Sequence, residues 1–173
     1  MFYMRRAALF LLLAVILSSC SLIGNNVKDV KDILNYPVCI SASIEQEAPF
    51  EFKIYVYENE TLFTFTSPKT LSPLTVKKDS AGYSAKYDGL ETTIDRSGIL
   101  AADALDTALD TIRACEEPVQ KTENGEDVLL FSIDGNKVLV YYNKESKQIT
   151  KIISEAAEQL FTYKILSVEK INT

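Results

Sequence analysis

After Pro37 the hydrophobicity of this chain repeats with a period of two, and with one interruption it does so almost to the end. Val38, Ile40, Ala42 and Ile44 alternate with Cys39, Ser41, Ser43 and Glu45; Phe50, Phe52, Ile54 and Val56 alternate with Glu51, Lys53, Tyr55 and Tyr57. Successive side chains of a strand point to opposite faces, so each run predicts a strand with one buried face. Glu58-Asn59-Glu60 turns the second run into a third, Leu62 to Thr66. Beyond a proline-bounded loop, Ser67 to Pro73, come Leu74 and Val76, then Tyr83, Ala85 and Tyr87, then Leu90, Thr92 and Ile94. Asp88-Gly89 is a tight-turn pair, so these six strands follow one another as a meander.

The interruption runs from Ile99 to Cys115. Ala101, Leu105, Ala108, Leu109 and Ile112 make an apolar helical stripe, while Asp103, Asp106 and Asp110 fall elsewhere on the helix and read as a solvated face. Pro118 and the polar stretch Lys121 to Asp127 end this segment, and four strand-like runs follow near 128–133, 137–142, 148–153 and 160–168. A short amphipathic helix, Val27 to Leu34, precedes everything. The pattern predicts an α+β domain: one strongly curved antiparallel sheet, a half-open barrel of about ten strands, with a short N-terminal helix and one longer helix packed on its concave face.

The first twenty residues read as an address. Arg5 and Arg6 precede an apolar run from Ala7 to Leu17, too short to span a bilayer, and then comes Leu17-Ser18-Ser19-Cys20. That tetrapeptide resembles the lipobox of bacterial lipoproteins. The resemblance implies a signal peptide over 1–19, palmitate-type acylation of Cys20, and a lipidated terminus and tether over 20–26. The domain of 27–173 would then be exported and held on the outer face of the cytoplasmic membrane, or on the outer membrane of a source that has one. Two acyl chains make such attachment persistent.

Composition removes several classes of function. Of 173 residues, loss of 19 leaves 154, enough for one domain, and loss of both leader arginines takes the net charge from -6 to -8. So acidic a domain repels nucleic acid, and no such partner is expected. There is no histidine, which eliminates Ser-His-Asp and Cys-His nucleophiles and the usual zinc sets. Ser167 and Lys170 have S-x-x-K spacing, but in a strand residues three apart face opposite ways. The three helix aspartates lack the loop spacing of a calcium site. No catalytic residue, metal ligand or cofactor is assigned, and the chain is not expected to be an enzyme. Cys39 and Cys115 either pair, closing a long loop worth roughly 4 kcal/mol in the chain-entropy model, or stay as buried thiols.

The order of elements, the local texture Thr66-Ser67-Pro68-Lys69-Thr70-Leu71, the stretch Leu90 to Ile94, the helix Leu105 to Ile112 and the closing meander resemble the LolA/LolB-like lipoprotein carrier superfamily, including GerS-like germination lipoproteins. That resemblance implies an unclosed barrel covered by helices. It also implies either an apolar cavity for acyl chains or a surface for a protein partner. The first three strands contain Lys53 as their only base, so the arginine with which periplasmic carriers latch their helical lid has no counterpart there.

Two functions follow as expectations. One is a membrane-anchored lipoprotein whose half-barrel binds a lipid, acyl chain or lipopeptide; the other is a non-catalytic module that binds another cell-envelope protein. For the first, a groove under the helix is expected to involve Phe50, Phe52, Phe63, Phe65, Tyr83, Tyr87, Leu105, Leu109, Ile112 and Phe131.

Overall fold

The two ends of the strand-forming sequence meet in the middle of one sheet. The computed structural model describes residues 26–45, 49–124, 126–156 and 159–171. The leader, Cys20 and the tether before Asn26 lie outside them. Helix α1 spans 26–33 and leads into β1 (Val38–Ile44), β2 (Phe50–Val56), β3 (Thr61–Ser67), β4 (Thr75–Asp79), β5 (Gly82–Tyr87) and β6 (Leu90–Ile94). Helix α2 (Leu100–Ala114) then separates these from β7 (Val119–Glu123), β8 (Glu126–Ile133), β9 (Asn136–Asn143), β10 (Gln148–Ala156) and β11 (Gln159–Lys170).

The sheet order is β6-β5-β4-β3-β2-β1-β11-β10-β9-β8-β7, antiparallel throughout. Each half is a meander of local hairpins, and only β1 with β11 joins them. Since β6 and β7 are the two edges, α2 connects one edge of the sheet to the other. The sheet is unclosed, and both helices lie on its concave face as the half-barrel pattern predicts.

That face is chosen by the alternation itself. Val38, Ile40, Ala42 and Ile44 are fully buried, as are Leu105, Leu109 and Ile112 of α2, Val30 of α1 and Leu34 just after it, all in one apolar cluster. Leu109→Ala removes side-chain atoms with no solvent exposure, and urea unfolding should report a loss of about 2–5 kcal/mol, the spread set by how far the site can collapse.

The described residues form eleven strands where about ten were expected. The extra one, β7, comes from the polar stretch after Pro118; its register runs from Val119↔Leu130 to Glu123↔Glu126. Most of its residues are exposed on both faces, so no alternation marks it in the sequence. The proline-bounded loop also holds a single 3-10 turn, Lys69–Leu71.

No disulfide joins Cys39 and Cys115; both are free and buried. Cys39 lies between Val38 and Ile40 in β1 and faces the convex side opposite Tyr55 and Glu169, while Cys115 ends α2 within the concave core. The sheet stands between them. Burial pushes the Cys39 thiol up, with Lys53 opposing.

Candidate apolar ligand site

Because the strands are antiparallel, their turns collect on two rims. One, the Pro68 rim, carries the β1–β2 connection and the β3–β4 loop; the other, the α1 rim, carries the β2–β3 and β9–β10 turns and α1 itself.

At the Pro68 rim the core is incomplete. A cavity of about 330 Å³ lies between Phe50 and Phe65 from the sheet, Leu71 and Leu74 from the loop, and Ile99, Leu100, Ala101 and Ala102 where α2 begins. Ala101 and Ala102 keep the helix surface low at this point, and the loop leucines reach over from the opposite side. Phe50 sits 5.7 Å from Phe65 and 5.8 Å from Phe52, and Phe52 contacts Tyr163 edge-on at 6.4 Å, so the aromatic wall continues into the core. Tyr163 donates to the Ala101 carbonyl at 2.6 Å, and burial raises its hydroxyl well above the usual range. The wall is therefore apolar, and the one nearby hydroxyl is occupied. Tyr163→Phe leaves the ring in place and removes that bond, so thermal unfolding should show a loss of about 1 kcal/mol.

The expected groove residues divide into two groups. Phe50 and Phe65 line the cavity, whereas Phe52, Phe63, Phe131, Leu105, Leu109 and Ile112 are packed shut in the core, where α2 fills the trough. Tyr83 and Tyr87 line no cavity wall here: Tyr83 bonds to Asp103, and the half-exposed Tyr87 donates to the Thr70 carbonyl at 3.4 Å. The cavity residues not anticipated are Leu71 and Leu74, apolar positions in a loop, and the start of the helix.

The helix aspartates correct a second expectation. Asp103 and Asp106 are buried, and only Asp110 is exposed. Strands β3, β4 and β5 and the turn before α2 supply the partners. Asp106 accepts from Thr61 at 2.9 Å and from Lys78, whose ammonium also lies 3.5 Å from Asp103. Asp103 accepts in addition from Tyr83 and from Arg96. These carboxylate oxygens are engaged by internal donors, and among the described residues no cluster of three metal-ligating side chains exists. The far end of α2 is held separately: Arg113 donates two bonds to the Leu34 carbonyl, at 3.0 and 2.8 Å, and its guanidinium stacks 3.8 Å over Tyr36. Helix α2 is thus clamped at both ends, by Lys78 of β4 and Arg96 of the turn before it near its start, and by the segment that follows α1 near its finish.

Fold and site together define an open antiparallel half-barrel, plugged by one clamped helix and with an apolar hollow at its Pro68 rim. Two solved structures are similar to it across most of their length. One is an uncharacterized conserved protein from Thermus thermophilus, at 10% identity, covering 87% of this chain and 88% of that one, with a TM-score of 0.47. The other is a LolA superfamily protein from Nitrosomonas europaea, at 12% identity, covering 87% and 94%, also with a TM-score of 0.47. No protein-family model matches the sequence, and no curated protein does either.

Proposed function

We propose that this chain is an exported, lipid-anchored protein, without catalytic activity, that holds one hydrocarbon chain in the Pro68-rim cavity. The observation that carries the reading is the cavity's lining, which is aromatic and aliphatic on every wall. Its volume lies near the lower end of the roughly 300–1,000 Å³ common for small-molecule sites, which favours a single acyl chain over a two-chain lipid. The anchor is inferred from Leu17-Ser18-Ser19-Cys20.

Native mass spectrometry with lipid extraction, on residues 21–173 purified without detergent, tests this directly. A reproducible lipid-sized adduct is expected, and Ala101→Phe, which puts a ring into the cavity, should abolish it while leaving the unfolding midpoint within a few degrees. A clean apo mass that persists after exposure to membrane lipids would overturn the reading. A second reading, docking of an envelope protein at this rim, is favoured by Tyr87, Leu90 and Leu160, large apolar side chains exposed at strand ends on the same side. It predicts partner capture that Leu90→Glu and Leu160→Glu weaken and Ala101→Phe does not.

A further inference from the structure

The seam between β10 and β11 opens before it reaches the α1 rim. Their pairing runs from Ala156↔Gln159 to Lys151↔Lys164 and stops, although β10 continues beside β9 to Gln148 and β11 continues beside β1 to Lys170. Just past the last pair each strand carries an extra residue: Thr150 between the positions facing Tyr142 and Tyr141, and Leu166 between those facing Ala42 and Ser41. A bulge bends its strand, and two bulges at the same level on facing strands part them. The gap is a cavity of about 400 Å³, bordered by Ile33 of α1.

Its chemistry differs from that of the Pro68-rim cavity. Ile149, Ile165 and Val168 supply an apolar interior, and Ile149 and Ile165 belong to the main core. Lys147 and Lys164 also line it, and no acidic side chain does. Among the described residues neither ammonium joins an ion pair. Lys164 also faces Lys151 directly across the last rung, an arrangement that repels; Lys151 lies 3.8 Å over the Tyr141 ring on the neighbouring strand. The edge of β11 facing the gap has lost its ladder partner, leaving backbone donors toward the same space.

We infer that this open seam is a separate binding site for a single-chain amphiphile with an anionic head, a carboxylate or a phosphate. The tail would lie against Ile33, Ile149, Ile165 and Val168. The head would sit between Lys147 and Lys164 and relieve the repulsion at the Lys151↔Lys164 rung. The inference stands on the seam's own geometry and does not need the other cavity to be occupied.

The chain contains no tryptophan, so Leu166→Trp places a lone indole in the seam. With the Pro68-rim cavity filled by Ala101→Phe in the same chain, laurate or dodecyl phosphate below their micellar concentrations should shift its emission to the blue and bind with one-to-one stoichiometry. Dodecyltrimethylammonium should bind at least tenfold more weakly. Calorimetry on the Ala101→Phe chain gives the same comparison if the tryptophan variant does not fold. Lys147→Glu with Lys164→Glu should weaken the anionic amphiphiles at least tenfold, and Ala101→Phe should not. Equal binding of the cationic amphiphile, binding of inorganic phosphate as tight as that of dodecyl phosphate, or indifference to the double charge reversal would each overturn the proposal. Loss of all binding in Ala101→Phe would place the amphiphile in the Pro68-rim cavity and likewise overturn it.

Discussion

Replacing Lys78 by methionine is expected to cost about 2–4 kcal/mol, a large effect for a side chain that reaches the surface. Removing one partner of a buried ion pair typically costs ~3–5 kcal/mol because the other charge is left without compensation, and the partial exposure of Lys78 trims that figure. Asp106 would keep only the Thr61 hydroxyl, and Asp103 would rely on Arg96 and Tyr83. The control is Lys77→Met on the same strand. Lys77 bridges Glu60 at 3.3 Å and Asp79 at 3.0 Å at the surface, where solvent screening leaves such a pair little effect on stability. Urea denaturation of the two variants should separate them clearly, and Asp106→Asn in the Lys78→Met background should recover part of the loss. Equal, small costs at both lysines would show that the clamp on α2 contributes little.

The second large effect is loss of stability in alkali. Burial pulls the Lys78 ammonium down, but its hydrogen bond to Asp106 and the negative charges around it outweigh this and push it up. Tyr36, Tyr83, Tyr142 and Tyr163 are all raised, in each case first by burial; for Tyr83 and Tyr142 a bonded aspartate adds to the effect. A group whose value is higher folded than unfolded holds its proton more tightly in the native state. Its contribution is complete below the unfolded value, about 10 for both residue types, and disappears as pH rises through the folded one. Unfolding midpoints should therefore show no loss from these groups between neutrality and pH ~10 and fall steeply above it. Tyrosine ionisation followed by ultraviolet absorbance should lag in the folded protein and catch up on unfolding. Tyrosines that all titrate near 10 in a chain of constant stability would contradict the burial described for them.

The sheet was legible because its concave face is regular. Four consecutive inward positions of β1 are aliphatic, and Asp88-Gly89 marks the β5–β6 hairpin with both residues at positive φ, 47° and 84°. The hidden parts are those where environment, not pattern, decides. Strand β7 is held by backbone pairing and one side-chain bond, from Thr122 to Asp127, and such pairing leaves no periodic trace when most of its side chains meet water. Asp103 and Asp106 looked solvated because carboxylates usually are; their burial depends on Lys78 and Arg96, which no spacing rule connects to them. The cavity was half legible: Phe50 and Phe65 stood out as aromatic strand positions, whereas Leu71 and Leu74 matter only through where the loop is folded. Leu105 and Leu109 look the same in sequence whether a helix caps a hollow or fills it.

The side chain of Asn26, at the first described position, donates at 2.8 Å to the buried carboxylate of Asp127, which Lys144 also meets at 2.7 Å. This fixes the point on the body from which the preceding chain departs. Six residue steps separate Cys20 from Asn26, a leash of at most about 20 Å, while the eight residues of β8 alone place the two rims roughly 25 Å apart. An acylated Cys20 would therefore hang the domain from its α1 rim like a cup from its base. The hollow at Pro68 would look out into the surrounding compartment, and the split seam would look back toward the bilayer. One molecule would then have two doors on opposite walls, one open to whatever drifts past and the other to the membrane that holds it.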